Sequence, residues 1–142
     1  MIPRIFLASA IDEDENRGSR IRAYYGTLIR ECGCKVIGAG IAGNPIISTL
    51  SSRGVCKGII RHDLNEQSSC HATLVITDGR TLAVGTWIEL WEAYKMGQFT
   101  ILFVENGGAL RSIFLTGIVD SFPKTDSELR QILIELKKAL RV

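Results

Sequence analysis

The residues best placed to do chemistry in this chain are Glu89 and, less directly, Asp63. Glu89 closes the run Gly85-Thr86-Trp87-Ile88-Glu89, which follows a β-branched stretch and the turn Asp78-Gly79-Arg80. The carboxylate therefore falls about one turn into a helix that begins just beyond a strand. Gly85 lets a backbone approach a ligand closely, and the free amides of a helix start favour anions. Together these features suit a site for a small molecule. Glu92, one turn on, is an equally good carboxylate by composition. Asp63 is more unusual, because it lies on the same helical stripe as Ile59. Trp87 and Trp91 stand one turn apart on the Glu89 helix and suit a core or a subunit interface.

Metal chemistry has less to stand on. The four cysteines, Cys32, Cys34, Cys56 and Cys70, contain no pair with the two-residue gap of a zinc or thioredoxin motif. Adding His62 and His71 gives no familiar ligand pattern, so no metal is expected and the thiols read as reduced and mostly buried. No cofactor is expected either. A formal net charge of +2 with scattered Lys and Arg provides no basic stripe for nucleic acid. No apolar run approaches the roughly 20 residues of a membrane span. Ile5-Phe6-Leu7-Ala8 runs directly into the acidic Asp12-Glu13-Asp14-Glu15, unlike a secretory signal, so a cytoplasmic location is the expectation.

The elements that must position Glu89 and Asp63 alternate between two periods. Pro3 to Ser9 is a short apolar run fit for a strand buried on both faces. Ile21, Tyr24, Tyr25, Leu28, Ile29 and Cys32 recur at helical spacing, and Gly33 is placed to end that helix. Lys35 to Ile37 resumes a strand, which Gly38-Ala39-Gly40 breaks. The spacing predicts a second helix from Val55, a central strand over His71 to Thr77 and a third helix from about Gly85 to Met96, stopped by Gly97. Phe99 to Val104 is another buried strand, and Ser112 to Val119 holds a last strand or a short helix. Thr125 and Glu128 form a capping box before a final helix with Leu129, Ile132, Leu133, Leu136 and Leu140 on one face. Residues 41–53 are the least readable.

Strands alternating with helices imply a parallel sheet covered on both faces. The expected fold is a single α/β domain over residues 1–142, doubly wound and flavodoxin-like, with about five strands in the order 2-1-3-4-5. Ligands in such sheets bind beyond the carboxyl ends of the strands, where strand order reverses. That point lies between the first and third strands. It would be lined by Ser9 and by the stretch from Asp78 to Glu89.

Four stretches then resemble the nucleoside 2-deoxyribosyltransferase family, which includes related nucleoside 5′-monophosphate N-glycosidases. Ile5-Phe6-Leu7-Ala8-Ser9 looks like the family's apolar first strand ending in small residues. His62-Asp63-Leu64 stands one helix before the third strand, as the family's Asp-Leu pair does. Gly85 to Glu89, followed by Ala93 and Gly97, matches the family's Gly-x-x-x-Glu, then Ala, then Gly. Ser112 to Gly117 is similar to the segment that a neighbouring subunit inserts into the site.

The resemblance implies cleavage of the N-glycosidic bond of (2′-deoxy)nucleosides and transfer of the deoxyribosyl group to another base, through a covalent intermediate on Glu89. Alternatives are hydrolysis of nucleoside 5′-monophosphates, or a nucleotide-binding or sensing module without turnover. Asp63 becomes a base-side acid or orienting group. Ser9 and Ser112 become contacts to the sugar 5′ end or a phosphate, and Gly85 and Thr86 part of the binding surface. The sequence departs from the family in three places. Ala83 stands where the transferases usually carry Asp and the nucleotide hydrolases Ser; Thr81 or Asp78 could substitute from the same turn. Phe6 replaces the first-strand tyrosine. Leu140-Arg141-Val142 lacks the aromatic end of some transferases. The implied partners are a small-molecule nucleoside or nucleotide and further copies of the chain, as a homodimer or higher homo-oligomer with shared sites.

Overall fold

Alternation along β1 (Arg4–Ser9) decides which face each later element must cover. Ile5 and Leu7 point to one side of the sheet and Phe6 and Ala8 to the other, and all four are buried. The computed structural model describes residues 1–9, 15–38, 53–79, 84–105, 110 and 112–140, with side chains for all of these except 15–17, 53–56 and 59. Within them the chain runs β1, α1 (Glu15–Glu31), β2 (Lys35–Ile37), α2 (Arg53–Ser68), β3 (Ala72–Thr77), α3 (Val84–Lys95), β4 (Phe99–Val104), α4 (Ile113–Ile118) and α5 (Asp126–Ala139). The strands form a parallel sheet in the order β2-β1-β3-β4. Every residue of β3 is buried, as its continuous apolar and threonine sequence requires of a central strand.

One face of the sheet carries α1 and α5, whose Ile21, Tyr25, Leu28, Ile29, Leu129 and Leu133 pack on Ile5, Leu74 and Ile101. The other carries α3 and the α4 region, with Leu90, Trp87 and Leu115 against Phe6, Val75 and Leu102. Burying each such large aliphatic chain contributes about 1.5–3 kcal/mol, so the two layers share the stabilisation. Among the described residues no helix is long and apolar enough to cross a membrane.

Helix ends follow the sequence closely. After α1, Gly33 has φ +82°, its N–H bonds to the Arg30 carbonyl and Cys34 N–H to that of Ile29. After α3, Gly97 has φ +74° and the same pair of bonds forms from Gly97 to Tyr94 and from Gln98 to Ala93. This 6→1 and 5→2 pattern needs a left-handed residue, which glycine supplies without penalty. Thr125 caps α5 by accepting from Glu128 N–H at 3.1 Å. The Glu128 carboxylate reaches back to Lys124 N–H at 2.7 Å, one residue before the cap.

One element starts earlier than the sequence suggests, and another takes one of its two expected forms. α1 begins at Glu15, six residues before the first apolar position, because its polar opening turns need no sheet to cover. The segment after residue 111 resolves as the short helix α4 rather than a strand, started by Ser112 as N-cap. The place of a fifth strand, beside β4, is held by a single parallel bridge between Ile101 and Ser121. Leu102 N–H donates to the Ser121 carbonyl at 3.0 Å and Ser121 N–H to that of Thr100 at 3.1 Å. Pro123 follows two residues later and has no N–H with which to extend the ladder.

Candidate active site

Glu89 owes its setting to the helix that carries it. On α3 the buried stripe is Thr86, Leu90 and Ala93. Glu89 follows Thr86 by three residues and precedes Ala93 by four, so it lies on the margin of that stripe and is half-buried. Burial pushes its pKa up to about 8, and the negative charge of Asp63 adds to the rise. Asp63 is also half-buried, and its pKa is raised, first by burial, with His62 opposing and Glu66 assisting.

The two carboxyls therefore sense one another across the contact between α2 and α3. Such a pair releases its protons in sequence, and the charge left by the first opposes the second. Ionised Asp63 opposes the ionisation of Glu89, which adds to the effect of burial in holding the Glu89 proton. Of the residues expected in the site, these two lie near enough for the charge of Asp63 to act on Glu89.

The other expected site residues are placed as follows. Ser9 ends β1, buried, in register with Ile76 of β3. Asp78 follows β3 and is partly exposed; the turn after it is fixed by Gly79, φ +77°, whose N–H donates to Thr77 Oγ1 at 3.0 Å. Gly85 lies in the exposed first turn of α3, where an added Cβ would meet nothing outside its own helix within 4 Å among the described residues. Thr86 is buried beside it. Phe6 is a core residue, its ring packed so closely on Gly38 that a Cβ there would collide with it. Ala83 and Thr81 lie outside the described residues, as do the segments 10–14 and 39–52 that leave the ends of β1 and β2.

Ser112 sits elsewhere on this chain. It is exposed, accepts from Leu115 N–H at 3.5 Å, and shares a groove of about 370 Å³ with Trp87, Trp91, Phe114 and Leu115. Arg20, which follows β1 in α1 and could in principle meet a phosphate, reaches Glu105 at 3.3 Å; the side chain of Arg17 is outside the described set. The Glu105 carboxylate also accepts from Tyr25 at 3.0 Å. Glu92, the alternative carboxylate, pairs with Lys95 at 2.8 Å on the surface of α3.

A metal has one arrangement to consider among the described residues. Ligand atoms of His62, Asp63 and Glu66 lie within 4.8 Å of one another. His62 and Glu66 already satisfy each other as an i,i+4 pair at 3.2 Å, on an open helix face. Cys32, Cys34 and Cys70 are free and buried, with burial pushing each thiol up, which keeps them protonated and unreactive.

Gln67 escaped the sequence reading. It is fully buried, and its Nε2 donates to the backbone carbonyl of Glu89 at 2.6 Å. Its spacing of four residues from Asp63 was the available signal, since that puts both on one side of α2.

No protein-family model matches the chain, and no curated protein sequence matches it. Solved structures do. The 2-deoxyribosyltransferase from the psychrotolerant bacterium Bacillus psychrosaccharolyticus superposes with a TM-score of 0.71 at 18% identity, over 89% of this chain and 90% of that one. The chain shares the fold of a 2-deoxyribosyltransferase. A conserved protein from Enterococcus faecalis V583 matches this 2-deoxyribosyltransferase-like fold with a TM-score of 0.76 at 15% identity, over 96% of this chain and 99% of that one. The CMP N-glycosidase of Clostridium botulinum matches with a TM-score of 0.55 at 19% identity, over 94% and 98%.

Proposed function

We propose that the chain is a member of the nucleoside 2-deoxyribosyltransferase family and cleaves the N-glycosidic bond of (2′-deoxy)nucleosides, passing the deoxyribosyl group to another base. The observation that carries this is the pairing of a recessed Glu89 carboxyl with Asp63 between α2 and α3, in a fold shared with two enzymes named for such chemistry.

The geometry suits an oxocarbenium-like transition state. Glu89 attacks C1′ as its carboxylate, the bond to the base breaks, and the base leaves with the bonding electrons. Asp63 orients that base and supplies or accepts its proton. A second base then attacks C1′, releases Glu89 and restores the enzyme. Burial and Asp63 make the free Glu89 anion unfavourable. Positive charge growing on the sugar relieves that cost only as the bond breaks, so the interaction is stronger in the transition state than before it.

Water in place of the second base would make the enzyme a hydrolase. The likeness to a CMP N-glycosidase supports the reading as a nucleoside 5′-monophosphate hydrolase. A formal net charge of only +2 gives an anion little long-range help, which favours nucleosides. Incubation with a panel of nucleosides and monophosphates, with and without a free acceptor base, separates the readings. Base exchange is the expected result. Free base without an acceptor would establish the hydrolase, and binding without product a sensing module.

Assembly belongs to the same proposal. Ile88, Trp91 and Tyr94 of α3 and Ile113 and Phe114 of α4 are exposed. Trp91 stacks on Tyr94 at 5.5 Å and tilts against Phe114 at 5.9 Å, giving a continuous aromatic surface. A second copy covering it would bring its own Ser112 and α4 towards the neighbour, which makes the active form a homo-oligomer.

A further inference from the structure

The contact between α2 and α3 is held by polar atoms in a place where apolar packing would serve. Gln67 is 0% exposed. Its Nε2 donates both to Thr73 Oγ1, at 3.1 Å, and to the Glu89 carbonyl, at 2.6 Å. Thr73 Oγ1 in turn donates to Gln98 Oε1 at 2.7 Å, and Gln98 Nε2 donates to the Gln67 carbonyl at 2.6 Å. Three side chains thus link the end of α2, the central strand β3, the Glu89 turn of α3 and the entry to β4.

We propose that Gln67 is a positioning residue, which clamps the Glu89 turn of α3 to the helix bearing Asp63 and so sets the separation of the two carboxyls. The kinetic part of this inference rests on the reading of Glu89 as nucleophile; the geometric part does not. Asp63 precedes Gln67 by one turn of α2, so the amide fixes the α3 backbone against the same face of α2 that presents Asp63.

Stability alone gives a poor account of Gln67. Its Oε1 is buried with no hydrogen-bond partner among the described residues. A buried acceptor left unmade is costly. The two oxygens to which Gln67 donates would also survive its loss. Glu89 sits within α3, where its carbonyl faces the N–H of Ala93, and Thr73 Oγ1 keeps its bond to Gln98. Methionine has similar length and volume, would strand no buried donor and would remove the lone acceptor. What it would not restore is the fixed direction of the bond to the Glu89 carbonyl.

The test compares wild type with Gln67→Met by thermal unfolding, steady-state kinetics with a deoxynucleoside and an acceptor base, and ¹³C NMR titration of the Glu89 carboxyl. Glu89→Gln is measured alongside. The expected result is a melting temperature at or above wild type, kcat lower by on the order of tenfold to a hundredfold with KM within about twofold, and a Glu89 titration displaced from its wild-type midpoint. An unchanged Glu89 titration with wild-type kcat would overturn the proposal. So would a loss of activity that only tracks a loss of folded protein, with the Glu89 midpoint unmoved in the folded fraction. If Glu89→Gln retained full turnover, the nucleophile reading would fail instead. The NMR midpoint in Gln67→Met would then decide the clamp by itself: displaced supports it, unmoved refutes it.

Discussion

Glu89 carries a carboxyl whose ionisation is opposed twice, by burial and by the charge of Asp63. An acid whose pKa is raised on folding, here from 4.5 to about 8, binds a proton in the native state that the unfolded chain has released. Its contribution to stability is therefore complete below about pH 4.5 and is lost as pH rises through about 8, with a limiting slope of about 1.4 kcal/mol per pH unit. Thermal melts of wild type and Glu89→Gln across pH 5 to 9 should show the variant gaining on wild type as pH rises, by several degrees at the alkaline end. Equal pH dependence in both proteins would contradict the burial of this carboxyl. The same ionisation governs the acidic limb of kcat/KM, because the attacking form is the anion. That limb should lie well above the ordinary carboxylate range and move downward in Asp63→Asn. Glu92→Gln, altering only an exposed pair with Lys95, should leave turnover near wild type. The sequence made Glu89 and Asp63 legible through the glycine, the helix start and the family resemblance. Gln67 was hardly legible: its spacing of four residues from Asp63 puts it on the right side of α2, but its bond to a backbone atom twenty-two residues away leaves no mark in the sequence.

Elements explain what supports that residue and what was hard to read. Glycines after α1 and α3 announced both helix ends, since the left-handed turn leaves a sequence mark. α4 was ambiguous because six residues, four of them large and apolar, fit either period, and the serine cap that decides for helix is a local hydrogen bond. The stunted fifth strand follows from Asp120 as much as from Pro123. Asp120 Oδ2 accepts from Thr100 N–H at 2.9 Å and Thr100 Oγ1 donates to the Ile118 carbonyl at 2.7 Å, tying the exit of α4 to the edge of β4. Thr100 is almost fully buried, so Asp120→Ala would leave its N–H without that acceptor. The expected cost is about 1–3 kcal/mol in chemical denaturation, with little change in KM. A loss below about 0.5 kcal/mol would show that the edge is not held this way.

At the scale of the whole molecule, the strand order β2-β1-β3-β4 agrees with the sequence expectation through the innermost four strands, and the departure is confined to the edge. Sheet order was legible because buried strands, crossover handedness and alternation leave few topologies. Residues 41–53 were not legible, since they carry no clear period; segments 10–14, 39–52 and 80–83 lie outside the described residues. The aromatic surface on α3 and α4 bears on assembly. Light scattering at micromolar concentration should show at least a dimer, and Phe114→Asp together with Trp91→Asp should yield monomers with reduced turnover; a fully active monomeric wild type would refute the shared-site arrangement. The central claim is the bond between Glu89 and the sugar. Wild-type protein mixed with a deoxynucleoside in the absence of an acceptor base, quenched in acid and digested, should yield one deoxyribosyl adduct, on the peptide containing Glu89. The adduct should disappear when acceptor base is added before the quench. Turnover with no adduct at any quench time, or an adduct on a different residue with Glu89→Gln still active, would contradict the account.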